Sequence, residues 1–251
     1  QAEDVVSFLQ TDFTEPIEIV SMSRVIGHGG FASGDINITY MDRNYAGSDF
    51  DLVLHHEMVH ILDARLGGGL RPSIFVEGLA TYLTGGHFKP EPLTPRAAAL
   101  LELKDEDGSS WILPLEALAD DFYTSQHEIG YLQAASLVEF VVARYGWDAF
   151  SEFYRNIQHV PGGKPSAAID EALQTHFDIG IAELETQFVA VLGAREVTQD
   201  HMDDVRLTVV FYDTVRRYQQ ALDPSAYFLS AWLPDGAAMR QYGIVADMLR
   251  Q

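Results

Sequence analysis

The sequence predicts an α+β fold that is mainly α, with a small N-terminal β-sheet followed by a helical lobe. Three observations predict it. Apolar and polar residues alternate, with β-branched side chains prominent, only within about the first 45 residues. From Ser48 onward the apolar residues recur at helical spacing. Glycines and prolines cut that second region into segments of helix length rather than strand length.

The elements follow in order. EPIEIVSMSRVIG, residues 15–27, alternates as a strand does until Gly27, Gly29 and Gly30 interrupt it. DINITYMD, residues 35–42, alternates again and puts Ile36, Ile38 and Tyr40 on one face. With Ser48 or Asp49 as N-cap, a helix begins in which Phe50, Val53, Leu54, Glu57, Met58 and Ile61 share a stripe. Gly67, Gly68 and Gly69 end it. A second helix over 73–83 stops at Gly85 and Gly86, and 89–95 reads as a loop. Helical spacing then covers 96–104, 115–119, 129–145, 147–157, 167–174, 181–192 and 197–221. Gly193 and the change after it set a boundary near residue 195. Residues 1–195 thus form one domain, with the sheet at about 15–45, two helices at about 50–85 and the lobe at 96–192. Residues 196–251 form a C-terminal helical extension punctuated by Pro224 and Pro234.

Composition excludes several functions. Sixteen basic residues face 37 acidic ones, a formal charge of -21 in 251 residues. Such a chain repels nucleic acid and anionic lipid, which excludes phosphate-backbone binding. No apolar run is long enough for a membrane span. With no cysteine, disulfides and thiolate metal sites are excluded. Gln1 stands where a methionine would begin a nascent chain, so an upstream segment removed from an extracytoplasmic or secreted protein is one expectation and a trimmed chain the other.

The chemistry lies in DFDLVLHHEMVHILDARLGGG, residues 49–69. Three of the nine histidines fall within six residues there. His56 and His60 are four apart, on one helical face, with Cβ atoms about 5–6 Å apart. Two imidazoles on one rigid element can therefore meet at a single zinc ion. Glu57, rotated about 100° around the helix from His56, flanks that point and can take a proton from a metal-activated water. His55 points away from it. A catalytic zinc site needs a third protein ligand and an open position. Leu66 and Asp63 stand where a third histidine and a glycine would follow in a metzincin, so that pattern fails. Glu77 supplies the ligand instead, on the apolar helix SIFVEGLATYLTGG, where an unpaired carboxylate would be costly. Asp63, three residues after His60, can either hydrogen-bond a ligand imidazole or stand as a carboxylate exposed or near Arg65. Lys104 to Ser110, KDEDGSS, lacks full calcium-loop spacing and reads as a solvated turn. His28, His87, His159, His176 and His201 carry no pattern and are expected to be structural or exposed.

His56-Glu57-x-x-His60 followed by Val76-Glu77-Gly78-Leu79-Ala80-Thr81-Tyr82 resembles the gluzincin metallopeptidases. It is most similar to their aminopeptidase and leukotriene-hydrolase branch, where the third ligand sits in an Asn-Glu-Gly-aromatic-Ala setting and Val76 here replaces the Asn. YLQAASLVEFVVARYGWDAF, residues 131–150, is similar to the helix carrying the family's catalytic tyrosine, and Tyr131 falls on that position. The likeness spans residues 17–192 and does not reach the extension. It implies a zincin-like catalytic domain over 1–195 and one zinc per chain on His56, His60 and Glu77. It also implies peptide-bond hydrolysis with Glu57 as general base and Tyr131 as oxyanion donor. His127 and Tyr123 are the nearby substitutes for that donor, because a related gluzincin branch uses a histidine. In gluzincins a sheet edge pairs with the substrate backbone, which implies contacts from Gly30, Phe31 and Ala32 to a peptide or protein substrate. True aminopeptidases of the clan carry a glutamate there. This stretch has none, and Asp35 is the nearest acid, so the expectation is peptide hydrolysis without a fixed end specificity. The alternative is a non-catalytic zinc-binding protein of zincin fold, used for binding or assembly.

Overall fold

The computed structural model describes residues 16–22, 29–39, 50–66, 68–87 and 90–222. It is mainly helical with a small N-terminal three-stranded sheet. The strands are β1 (Ile19–Met22), β2 (Gly30–Ser33) and β3 (Asp35–Thr39). Their order is β1-β3-β2. β1 runs parallel to β3, with Ile19 opposite Ile36, and β2 runs antiparallel, with Gly30 opposite Ile38. The period-2 pattern sends Ile36 and Ile38 inward at 1% and 3% exposure, while Ile19 on the outer strand stays 53% exposed. The expected continuations of the strands over 23–27 and 40–42, Tyr40 included, lie outside the described residues.

Among the described residues the helices are α1 (Phe50–Leu66), α2 (Ser73–Thr84), α3 (Leu93–Glu102) and α4 (Leu115–Asp120), a 3₁₀ turn (Phe122–Thr124), then α5 (His127–Tyr145) and α6 (Trp147–Arg155). They finish with α7 (Pro165–Phe177), α8 (Ile181–Gly193) and α9 (Gln199–Leu222). Among the described residues no helix is long and apolar enough to cross a membrane.

α1 differs from its sequence reading. It does not bury one stripe; it is buried from two sides. Ile61, with Leu54 and Met58, packs on Ile36 and Ile38 of the sheet. Val59 and Leu62 enter the core of the helical lobe with Ile74, Phe75 and Leu79. Phe50, expected on the stripe, is 47% exposed. α3 begins at Leu93, inside the expected loop, with Pro95 in its first turn, where the missing N–H costs no helical hydrogen bond. α7 likewise starts early, with Pro165 at its first position.

One contact sets the position of α2. Gly78 lies so close to α5 that a Cβ there would stand 2.6 Å from the carbonyl oxygen of Ala134. Only glycine allows this approach. α2 ends as its glycines predict. Gly85 adopts a left-handed conformation at φ 74°, and Gly85 and Gly86 donate to Tyr82 and Thr81 carbonyls. α5 is buried along most of its length and starts with Gln126 accepting from the Ile129 N–H. α9, the described part of the predicted extension, lies against the lobe. Val205 and Val209 join the same core, and Arg96 of α3 donates to Asp204 and Thr208.

Candidate metal and active site

Two helices bring three donor side chains to one point. His56 and His60 come from adjacent turns of α1, their rings edge to face at 4.7 Å. Glu77 comes from α2, which the Gly78 contact presses against α5. Glu77 Oε2 lies 3.4 Å from His56 Nε2 and 3.3 Å from His60 Nε2. An ion held tetrahedrally at about 2.1 Å from each donor would set neighbouring donors about 3.4 Å apart. All three ligand atoms fall within 4.8 Å of one another. The Nδ1 atoms of both rings are buried without a hydrogen-bond partner among the described residues, so the polar capacity of each ring is directed at the shared point through Nε2. The donor set and spacing fit a small divalent cation.

Electrostatics agree with the geometry. Burial alone would raise the Glu77 carboxyl, but the two imidazoles, His60 foremost, outweigh it and hold Glu77 well below the usual carboxylate range. Burial alone would lower His60, but Glu77 outweighs it and lifts that imidazole to about 9 in the metal-free protein. Glu57 is 6% exposed, and desolvation raises its carboxyl against the pull of His60 and His56. Its Oε2 has no hydrogen-bond partner among the described residues.

The other expected residues can now be placed. Tyr131 of α5 is 6% exposed, with its ring stacked on His87 at 3.9 Å and 6.3 Å from the His56 ring. Burial and then Glu77 push its hydroxyl well above the usual tyrosine value, so it keeps its proton. Tyr123, in the 3₁₀ turn, donates to Glu77 Oε1 at 2.6 Å and is thus committed to a candidate ligand. His127 lies behind Tyr131, 4.8 Å from that ring and 4.8 Å from His87. Among the described strands β2 lies at an edge of the sheet, and it passes beside Glu57. A Cβ on Gly30 would be 3.5 Å from Glu57 Oε1. Phe31 is 37% exposed, and Ala32 packs toward Ile36 and Ile61. Asp35 sits across from Ser33 at the far end of this hairpin and accepts from the Glu18 N–H.

Asp63 corrects both of its sequence readings. It is neither exposed nor beside Arg65, and its hydrogen bond is not to a histidine. It is fully buried, accepts from the Tyr154 hydroxyl at 3.0 Å and pairs with Arg71 at 3.6 Å. It acts on His60 only through its charge, which favours the protonated ring.

His87 is the residue that sequence reasoning passed over. It follows the glycine cap of α2, is 8% exposed, and lies 5.9 Å from the His56 ring. Its only signal in the sequence is that position after Gly85-Gly86. Glu128 and Arg96 were also missed; both are buried, and Arg96 meets Glu91, Glu128 and Asp204. His55 belongs to neither group of donors among the described residues that could hold a metal. His159 is exposed, His176 and His201 are half-buried, and His28 lies outside the described residues. The Lys104–Ser110 segment forms the expected exposed turn, closed by a bridge between those two residues. Comparison with protein-family models, curated proteins and solved structures finds no match for this chain.

Proposed function

We propose that the protein is a zinc-dependent peptidase, with His56, His60 and Glu77 as metal ligands and Glu57 as general base. The observation that carries this reading is the meeting of three donors from α1 and α2, His56 and Glu77 buried and His60 half-buried, with Glu77 at tetrahedral-edge distance from both imidazoles and the Glu57 carboxyl buried beside them. The resemblance of the same residues to the gluzincin motif points the same way.

Zinc bound there supplies a Lewis acid that acidifies a water and polarises the scissile carbonyl. The remaining work belongs to the chain. Glu57 takes the proton from the water and passes it to the leaving amine, from a position where its carboxyl is buried beside the donor cluster. Tyr131, which keeps its proton, donates to the carbonyl oxygen as negative charge develops there. Tyr123 holds Glu77 Oε1, which leaves Oε2 for the metal. The β2 edge beside Glu57 receives the substrate backbone through Gly30, Phe31 and Ala32. Gly30 leaves room there, since a Cβ would stand 2.7 Å from the Asn37 carbonyl oxygen.

The test is Glu57→Gln. It should retain zinc and lose hydrolysis of a mixed peptide library, because an amide cannot accept the proton. Tyr131→Phe should keep zinc and stability while kcat falls by about a hundredfold or more with little change in KM. A zinc-loaded wild-type protein that leaves the library intact would sink the peptidase reading and favour the binding role.

A further inference from the structure

We propose that His87, His127 and Glu128 form a second cation site, for a divalent transition metal, in the wall beside the first. His87 leaves the cap of α2, and His127 and Glu128 open α5. Their ligand atoms lie within 4.8 Å of one another, and His87 Nδ1 is 3.5 Å from Glu128 Oε2. That separation again approximates the edge of a tetrahedron around a bound ion, about 3.4 Å. Two imidazoles and a carboxylate are a donor set suited to zinc, cobalt or nickel. Stacking orients the rings in advance, with Tyr131 3.9 Å from His87 and 4.8 Å from His127.

Charge gives the second argument. The guanidinium of Arg96 meets the carboxylates of Glu91, Glu128 and Asp204. The Asp204 side chain is 40% exposed and in contact with solvent, so the enclosed part of this network is one guanidinium between the carboxylates of Glu91 and Glu128. Arg96, Glu91 and Glu128 are almost wholly shielded from water, where uncompensated charge is expensive. A cation held by His87, His127 and Glu128 would add positive charge on the side of Glu128 that Arg96 does not cover. Arg96 takes Glu128 Oε1 at 3.5 Å, which leaves Oε2 to face His87 and the ion. This site requires no turnover and stands or falls apart from the peptidase reading.

The experiment counts cobalt(II) bound to the metal-free full chain, by elemental analysis after gel filtration and by the visible absorption of the bound ion. About two cobalt ions per wild-type chain are expected, and about one in each of His60→Ala and His127→Ala. A His60→Ala protein that binds none overturns the proposal, and so does a His127→Ala protein that binds as many as wild type. Should His127→Ala fold poorly, His60→Ala leaves the second donor set untouched and decides the matter. Failure of the first site has a different signature: a wild-type count of about one that survives His60→Ala and disappears in His127→Ala.

Discussion

His56, His60 and Glu77 make one His–His–Glu cluster, and His87, His127 and Glu128 make another, with the His56 and His87 rings 5.9 Å apart. The two differ in how they are built. In the first, helix geometry places two donors, and one close helix contact through Gly78 brings in the third. In the second, His87 comes from the end of α2, and Glu128 is held by an arginine that also binds α9. The first cluster is thus organised by local structure and the second by tertiary packing. Perturbing the contact of α3 with α9 should therefore damage the second and spare the first, whereas the first depends on the single contact at Gly78.

The largest expected effect comes from Arg96→Met. Removing this 1%-exposed guanidinium leaves three carboxylates facing one another and should cost about 3–5 kcal/mol in urea unfolding of the metal-free protein. Metal affinity at His60 should stay nearly unchanged in the folded molecules. A loss below about 1 kcal/mol would show that this network does not anchor α9 and would break the contrast between the clusters.

Gly78→Ala should come next, at about 1–3 kcal/mol, because the new Cβ meets the Ala134 carbonyl and pushes α2 from α5. Since Glu77 moves with α2, zinc binding should weaken as well; a variant of normal stability and affinity would mean that the two helices can part without consequence. Tyr123→Phe should be milder. It should leave stability nearly intact and weaken metal binding about 10- to 100-fold, because Glu77 loses the hydroxyl that orients it. Unchanged affinity by competition with a chromophoric chelator would remove Tyr123 from the site.

The smallest effect is a proton count. His60 is held to about 9 in the metal-free protein, so at pH 7 it carries a proton that zinc must displace. About one proton should leave per zinc at pH 7 in calorimetry across buffers of different ionisation enthalpy, and the release should fade above pH 9. The stability that the His60–Glu77 pair gives the metal-free protein has the matching sign. Because the His60 pKa is raised on folding, that contribution is full below 6.5 and is lost as pH rises through about 9. Proton release that does not change between pH 7 and 10 would contradict the pairing.

The same division explains what the sequence revealed. The pair His56 and His60 is legible because four residues along a helix is a fixed distance. Glu77 is legible because a carboxylate in an apolar helix needs a reason. The α2 stop at Gly85 and Gly86 follows from backbone chemistry. By contrast, His87 becomes part of a site only once α2 lies on α5, and Arg96 meets Asp204 from 108 residues away. No local pattern carries either fact. The parallel pairing of β1 with β3 was hidden for the same reason. The single stripe read on α1 failed because a helix between two layers has apolar residues on both sides, and periodicity alone registers only one.

That two-sided burial of α1 also puts the helix between two separate apolar clusters. Among the described residues, Ile36, Ile38 and Ile61 form a cluster apart from the one that holds the lobe together, and a smaller one. Local opening follows the number of buried contacts that must be lost. The sheet can therefore lift from α1 in fluctuations that leave the lobe folded, and amide hydrogens of β3 should exchange through openings that those of α5 never join. The strand edge and the donor helices would then breathe separately, so the space above Glu57 could widen and narrow while Glu77, Tyr123 and Tyr131 keep their places.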